Sequence, residues 1–153
     1  MMDTKNILIL LALGALTVAY VRYKEKIGQE LVVAFLIAFF WTSYYHYEYI
    51  GNNIFLLDKI NLYPLVLWTG GLVFLREVYE RIAKWKFLST VLLYWLVVVL
   101  IEAIGYYVLN IRLVTQYPDL FNLGIIHIPP VSQIFYIIIG PIYILVTDYL
   151  KVK

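Results

Sequence analysis

Two glutamates sit inside segments apolar enough to cross a membrane, and each follows a tryptophan at the same distance. Trp41 leads to Glu48-Tyr49-Ile50-Gly51, and Trp95 leads to Glu102-Ala103-Ile104-Gly105. Each tryptophan itself follows an aromatic residue, Phe40 or Tyr94. A seven-residue step is close to two helical turns, so each Trp is expected on the face of its Glu. Tyr44 precedes Glu48 by one turn and Tyr106 follows Glu102 by one turn, which puts a phenol within reach of each acid along its own helix. An ionisable residue within an apolar span is costly and marks a functional site by default. Removal from water favours the neutral form of a carboxylic acid, and a neutral acid facing an apolar cavity is a proton donor. Glu102 and Glu48 together could work as acid and base. The faces of Trp41, Trp95, Tyr44 and Tyr106 would line the ligand and steady a developing carbocation. Such equipment suits isoprenoid chemistry: protonate an alkene, shelter the cation, remove a proton.

Plainer roles fit the same residues. Glu48 lies in Tyr44-Tyr45-His46-Tyr47-Glu48-Tyr49, which reads as an aromatic belt at the membrane interface, where a carboxylate reaches water. Glu102 follows Val97-Val98-Val99-Leu100-Ile101. It needs a polar cavity or a buried partner, and a structural hydrogen bond between helices would serve.

The elements that must position these residues are membrane helices. Of 153 residues, 63% are hydrophobic and 14% charged, too few polar groups to cover a water-soluble domain of this size. The apolar residues also fall in runs approaching the roughly 20 residues that cross a bilayer. The fold class expected is all-α, a polytopic helical bundle forming a single transmembrane domain over residues 1–153. Five spans are drawn, at about 6–20, 31–50, 62–75, 87–109 and 131–150, with an internal two-fold repeat suggested by the Trp–Glu–Gly phrase. In the second and fourth spans, Glu48 and Glu102 would lie about 26 and 23 Å from the entry points, at similar depth. The third span is short: either Arg76 snorkels to the surface, or the span begins near Ile54 with Pro64 inside it. Gly140-Pro141 in the fifth span predicts a kink.

Nine basic residues fall in the first loop, the third loop and the carboxyl tail, against three at the other side (Lys5, Lys59, Arg112). The bias predicts a multi-pass protein of the cell membrane with its amino terminus outside and its carboxyl terminus in the cytoplasm. Arg22, Lys24 and Lys26 after the first span also argue against a cleaved signal peptide there. Cysteine is absent, which excludes disulfides and thiolate metal sites. A net charge of +2 without a basic stripe gives no reason to invoke nucleic acid. His46 and His127 lack paired ligand spacing and read as interfacial, so no metal and no cofactor is expected.

The stretch Asn122-Leu123-Gly124-Ile125-Ile126-His127-Ile128-Pro129-Pro130, followed by Ile134-Phe135-Tyr136, resembles a loop and aromatic run of the lycopene cyclase domain of the membrane-embedded carotenoid cyclases. The likeness covers about residues 95–143, with a fainter echo in 41–75. It implies a repeated helical unit and an isoprenoid or carotenoid ligand. That family opens the span with Pro-x-Glu-Glu/Asp, whereas this chain has Ser132-Gln133 after Pro130-Val131. Neither side chain can replace a carboxylic acid, so any catalysis would fall to Glu102 and Glu48.

Three readings are open. The favoured one is a non-catalytic component of the lipid bilayer, alone or in a homo- or hetero-oligomer. The alternatives are an isoprenoid-binding protein or cyclase-like enzyme, and a carrier of protons or small solutes.

Overall fold

Asp3 opens the first helix: its Oδ1 accepts the backbone N–H of Lys5 at 3.1 Å, satisfying a donor that the first turn leaves without a partner. The computed structural model describes residues 3–22, 24–120, 124 and 127–150. The elements in chain order are α1 (Thr4–Arg22), α2 (Lys24–Tyr44), β1 (Phe55–Leu56), β2 (Ile60–Asn61), α3 (Leu62–Arg81), α4 (Lys86–Ala103, continued by a π-helical turn Ile104–Val108) and α5 (Pro130–Tyr149). The protein is mostly helical, as its composition requires. Asn122, Leu123, Ile125 and Ile126 of the cyclase-like stretch, and Lys151 and Lys153 of the basic tail, lie outside the described residues.

Among the described residues, four helical segments are long and apolar enough to cross a membrane: Thr4–Arg22, Ile27–Tyr44, Lys86–Val108 and Pro130–Tyr149. Their outer faces carry exposed Leu10, Leu11, Val18, Val32, Phe40, Leu96 and Ile134, a surface suited to hydrocarbon. The expected third span falls within α3, the central helix. At 20 residues α3 rises about 30 Å, and it packs against each of the other four helices. Leu65, Thr69, Leu72, Val73, Arg76 and Tyr79 are buried at helical spacing. Asn61 caps it by accepting the Tyr63 N–H at 3.1 Å, and Pro64 occupies the first turn, where a missing donor costs nothing.

The second span ends six residues earlier than expected, at Tyr44 rather than residue 50. Thr42 and Ser43 donate their hydroxyls to the carbonyls of Ala38 and Phe39 at 2.8 and 2.6 Å, which loosens the last turn. Asn53 then organises an irregular segment. Its amide donates to the carbonyls of Tyr49 (2.7 Å) and Gly51 (3.1 Å) and accepts from the Tyr49 N–H (3.1 Å). Gly51 turns the chain at φ +88°, a conformation that side chains disfavour. A short hairpin, β1 with β2, comes next, an element the hydropathy pattern does not announce.

The two ends of the bundle differ. At one end the start of α1, the 45–61 segment and the 109–114 segment meet. Lys5 is buried, donates to the Ile50 carbonyl at 2.6 Å and pairs with Asp3 at 3.1 Å. Tyr49 bridges Leu113, and the Ile50 N–H donates to the Arg112 carbonyl at 2.8 Å. At the other end, Arg76 does not snorkel outward. It is buried, with Nη1 donating to Thr147 (3.2 Å) and Asp148, and Nε lying 3.3 Å from Glu80 and 3.8 Å from Glu30, which is wholly buried. Tyr79 donates to the other Asp148 oxygen at 2.7 Å. Asp148 keeps 43% of its side chain exposed while serving this cluster. Glu30 on α2, Arg76 and Glu80 on α3, and Thr147 and Asp148 on α5 thus hold three helices at one level.

Pro141 lies inside α5 and has no N–H to offer the Ile137 carbonyl one turn earlier. The indole N–H of Trp95 on α4 takes that place at 2.9 Å, and the neighbouring Tyr94 hydroxyl donates to the Tyr136 carbonyl at 2.7 Å. The Tyr94 ring lies flush on Gly140, where a Cβ would come within 2.9 Å of three ring carbons. A double-mutant cycle tests this account in detergent unfolding. Trp95→Phe should cost roughly 1–3 kcal/mol, and less than half of that in a Pro141→Ala background, where a new N–H can take the Ile137 carbonyl; simply additive costs would refute it.

Candidate functional site

Glu102 stands two residues before the first residue of the π-helical turn Ile104–Val108. In that turn the Leu109 N–H reaches back to the Ile104 carbonyl at 3.0 Å, and the Ile111 N–H reaches the Gly105 carbonyl at 2.8 Å. Such a turn carries an extra residue and rotates the residues after it relative to an α-helix. Tyr106 therefore does not reach back to Glu102 as its one-turn spacing suggests. Its ring stacks on His127, with centroids 4.1 Å apart and planes at 14°, and the Arg112 guanidinium lies 4.5 Å from the same ring.

The phenol that does meet Glu102 comes from α5. The Tyr136 hydroxyl donates to Glu102 Oε1 at 2.9 Å. Side chains on an α-helix lean toward its amino terminus, which for α5 is the end where Glu102 lies, so Tyr136 reaches upward to the acid. The half-buried Glu102 opens on a recess of about 30 Å³ lined by Tyr49, Tyr106, Arg112, His127 and Tyr136, with Ile111, Leu113 and Ile128 as its apolar wall. That volume holds one or two water molecules. Desolvation first, and the Glu102 charge second, push the Tyr49 phenol well above its ordinary range, so it remains a neutral donor. The arrangement brings an acid, an imidazole, a guanidinium and phenols to one small polar hollow. It can bind water, exchange a proton or hold a guest of comparable size.

Glu48 is not part of it. Because α2 ends at Tyr44, Glu48 lies in the irregular segment with its side chain exposed, and its backbone carbonyl accepts the Val114 N–H at 2.9 Å. The helical face meant to align Trp41 with Glu48 does not extend that far. Tyr44, the phenol expected to serve Glu48, is 77% exposed. The two copies of the Trp–Glu phrase thus occupy different structures, one broken by a loop and one continuous through a helix.

The tryptophans are likewise engaged in the fold. Trp41 is buried, donates its indole N–H to the Tyr47 hydroxyl at 2.7 Å and stacks on Phe135 with centroids 3.6 Å apart. Trp95 answers the proline-freed carbonyl. Trp68 packs edge-on against Phe135 and Tyr136. The Trp41, Phe135 and Trp68 rings thus pack together where α2, α3 and α5 meet. Ser132 and Gln133, at the position of the cyclase acids, are buried in the first turn of α5, where Gln133 donates to the carbonyls of Ile128 (3.0 Å) and Pro118 (3.3 Å). His46 bonds the Lys59 carbonyl through Nδ1 at 2.9 Å.

Residue-by-residue reading of the sequence missed Tyr136, Arg112 and Tyr49 as neighbours of Glu102. A tyrosine in the second turn of the last helix was the one local signal for Tyr136. The other two are placed by the Tyr49–Leu113 bridge, which no local pattern encodes.

Removing Glu102 should strand the Tyr136 hydroxyl. Glu102→Ala is expected to cost about 1–3 kcal/mol, Glu102→Gln distinctly less because an amide oxygen still accepts, and Glu102→Ala in a Tyr136→Phe background little. Glu48→Ala should stay within about 0.5 kcal/mol of the parent. Detergent unfolding curves measure all four, and equal losses at Glu48 and Glu102 would contradict the geometry.

Comparison of the chain with protein-family models, with curated proteins and with solved structures returned no match.

Proposed function

We propose that this chain is a non-catalytic multi-pass membrane component that carries one ionisable site, Glu102, at which a proton or a water-sized polar guest is held. The observation that carries this reading is the size and lining of the recess: about 30 Å³ around a carboxyl bonded to Tyr136. The acid–base pair read from the sequence needs Glu48 beside Glu102, and Glu48 is exposed in a loop. The isoprenoid reading rests on the sequence resemblance alone. A proton or small-solute carrier is the second reading, favoured by the placement of a half-buried acid beside Arg112 and His127.

Infrared spectroscopy of the reconstituted protein tests the site. A carboxyl band that responds to pH in the parent should vanish in Glu102→Gln and survive in Glu48→Gln. No band lost with Glu102 would sink the proposal.

The orientation proposed is amino terminus outside and carboxyl terminus in the cytoplasm. It is supported by the excess of basic residues at the Arg76 end and the clustering of Lys5, Lys59 and Arg112 in the segments of the opposite end. The chain has no cysteine, so single cysteines report cleanly. In intact cells a membrane-impermeant thiol reagent should label Asp58→Cys and leave Lys84→Cys unlabelled; the reverse pattern would invert the topology.

A further inference from the structure

Trp85 combines two unfavourable features that nothing within the fold repays. Its backbone is left-handed, at φ 49° and ψ 35°, a region that bulky residues avoid. Its indole is 80% exposed. It sits in the connection from Ile82 to Trp85 between α3 and α4, where its carbonyl accepts the Ser89 N–H at 2.9 Å. Strain of this kind persists where the surroundings enforce it or where function uses it. A glycine would adopt the same turn without penalty.

The neighbourhood supplies the direction. Lys84 and Lys86 flank the tryptophan. Lys84 is exposed and makes no ion pair among the described residues. Lys86 Nζ lies 4.1 Å from the Tyr79 ring centroid, which holds it close to the bundle. In the sequence, this connection is one of three segments that together hold nine of the twelve basic residues. An exposed indole beside an uncompensated ammonium, at the edge of an apolar bundle, matches the chemistry of a phospholipid headgroup layer. Indoles settle at headgroup depth, and each lysine near an anionic surface is attracted to it.

We propose that the Ile82–Trp85 connection is an anionic-phospholipid docking site, with Trp85 inserted at headgroup level and Lys84 on the lipid phosphate. The left-handed turn is the device that thrusts the indole outward from between two packed helices. The site is independent of Glu102 and of the function proposed for it.

The test compares thermal unfolding in detergent, in nanodiscs of phosphatidylcholine, and in nanodiscs of equal parts phosphatidylcholine and phosphatidylglycerol. The parent should gain Tm on passing from the zwitterionic to the anionic bilayer. Trp85→Gly should match or exceed the parent in detergent, because it relieves the turn, yet lose at least half of the anionic-lipid gain. Lys84→Glu should lose a similar share while leaving the detergent Tm unchanged. Inorganic phosphate added in detergent should not reproduce the gain. The proposal is overturned if both variants keep the full lipid-dependent gain, if Trp85→Gly is destabilised equally in detergent and in anionic nanodiscs, or if inorganic phosphate alone reproduces the effect.

Discussion

The Ile137 carbonyl, left without its helical donor by Pro141, sets the register of the last two helices. In hydrocarbon an unanswered carbonyl costs several kcal/mol, and the indole of Trp95 answers it. Once Trp95 is fixed there, Tyr94 meets the Tyr136 carbonyl and its ring closes over Gly140. The same register brings the Tyr136 hydroxyl to Glu102 farther along α4. A proline placed to bend α5 therefore also determines which side chain confronts Glu102.

Among the described residues, buried charge lies toward the two ends, and each end is solved differently. At the Arg76 end, charge answers charge: one guanidinium serves carboxylates from α3 and α5 and lies near that of Glu30 on α2. Its planar fork allows several partners at once, which a lysine ammonium on the same stem would not match in direction. At the Glu102 end, a carboxyl is met by the Tyr136 phenol, with the cation Arg112 set against an aromatic ring. Between these ends the contacts of α3 with its neighbours are largely apolar, so the middle of the bundle is held by shape complementarity and van der Waals packing.

How much of this was legible depends on the range over which each feature is encoded. The apolar runs announced α1, α4 and α5 within a few residues, because membrane solvation acts on each residue separately. The proline inside α5 was legible for the same reason. The early end of α2 was not: apolar and aromatic residues continue to Ile50, while the turn is dictated by Asn53 reaching back to Tyr49 and Gly51. The burial of Arg76 was misread because its partners lie on three helices, 46 and 72 positions distant in the cases of Glu30 and Asp148. Glu102 was expected to need a polar cavity or a buried partner, and the one phenol named for it, Tyr106, lay on its own helix. The π-helical turn removed Tyr106 from that role and left it to Tyr136.

Lys5 carries a consequence for the order of assembly. Its acceptor, the Ile50 carbonyl, is made 45 residues later. Until that segment exists, Lys5 has Asp3 for a partner but lacks this carbonyl, and α1 still lacks the central helix α3 against which it packs. Docking of the first helix is thus a late event on the growing polypeptide, clasped after the second helix has turned back. The opening segment is less a nucleus for this protein than a strap fastened once the central helix is in view.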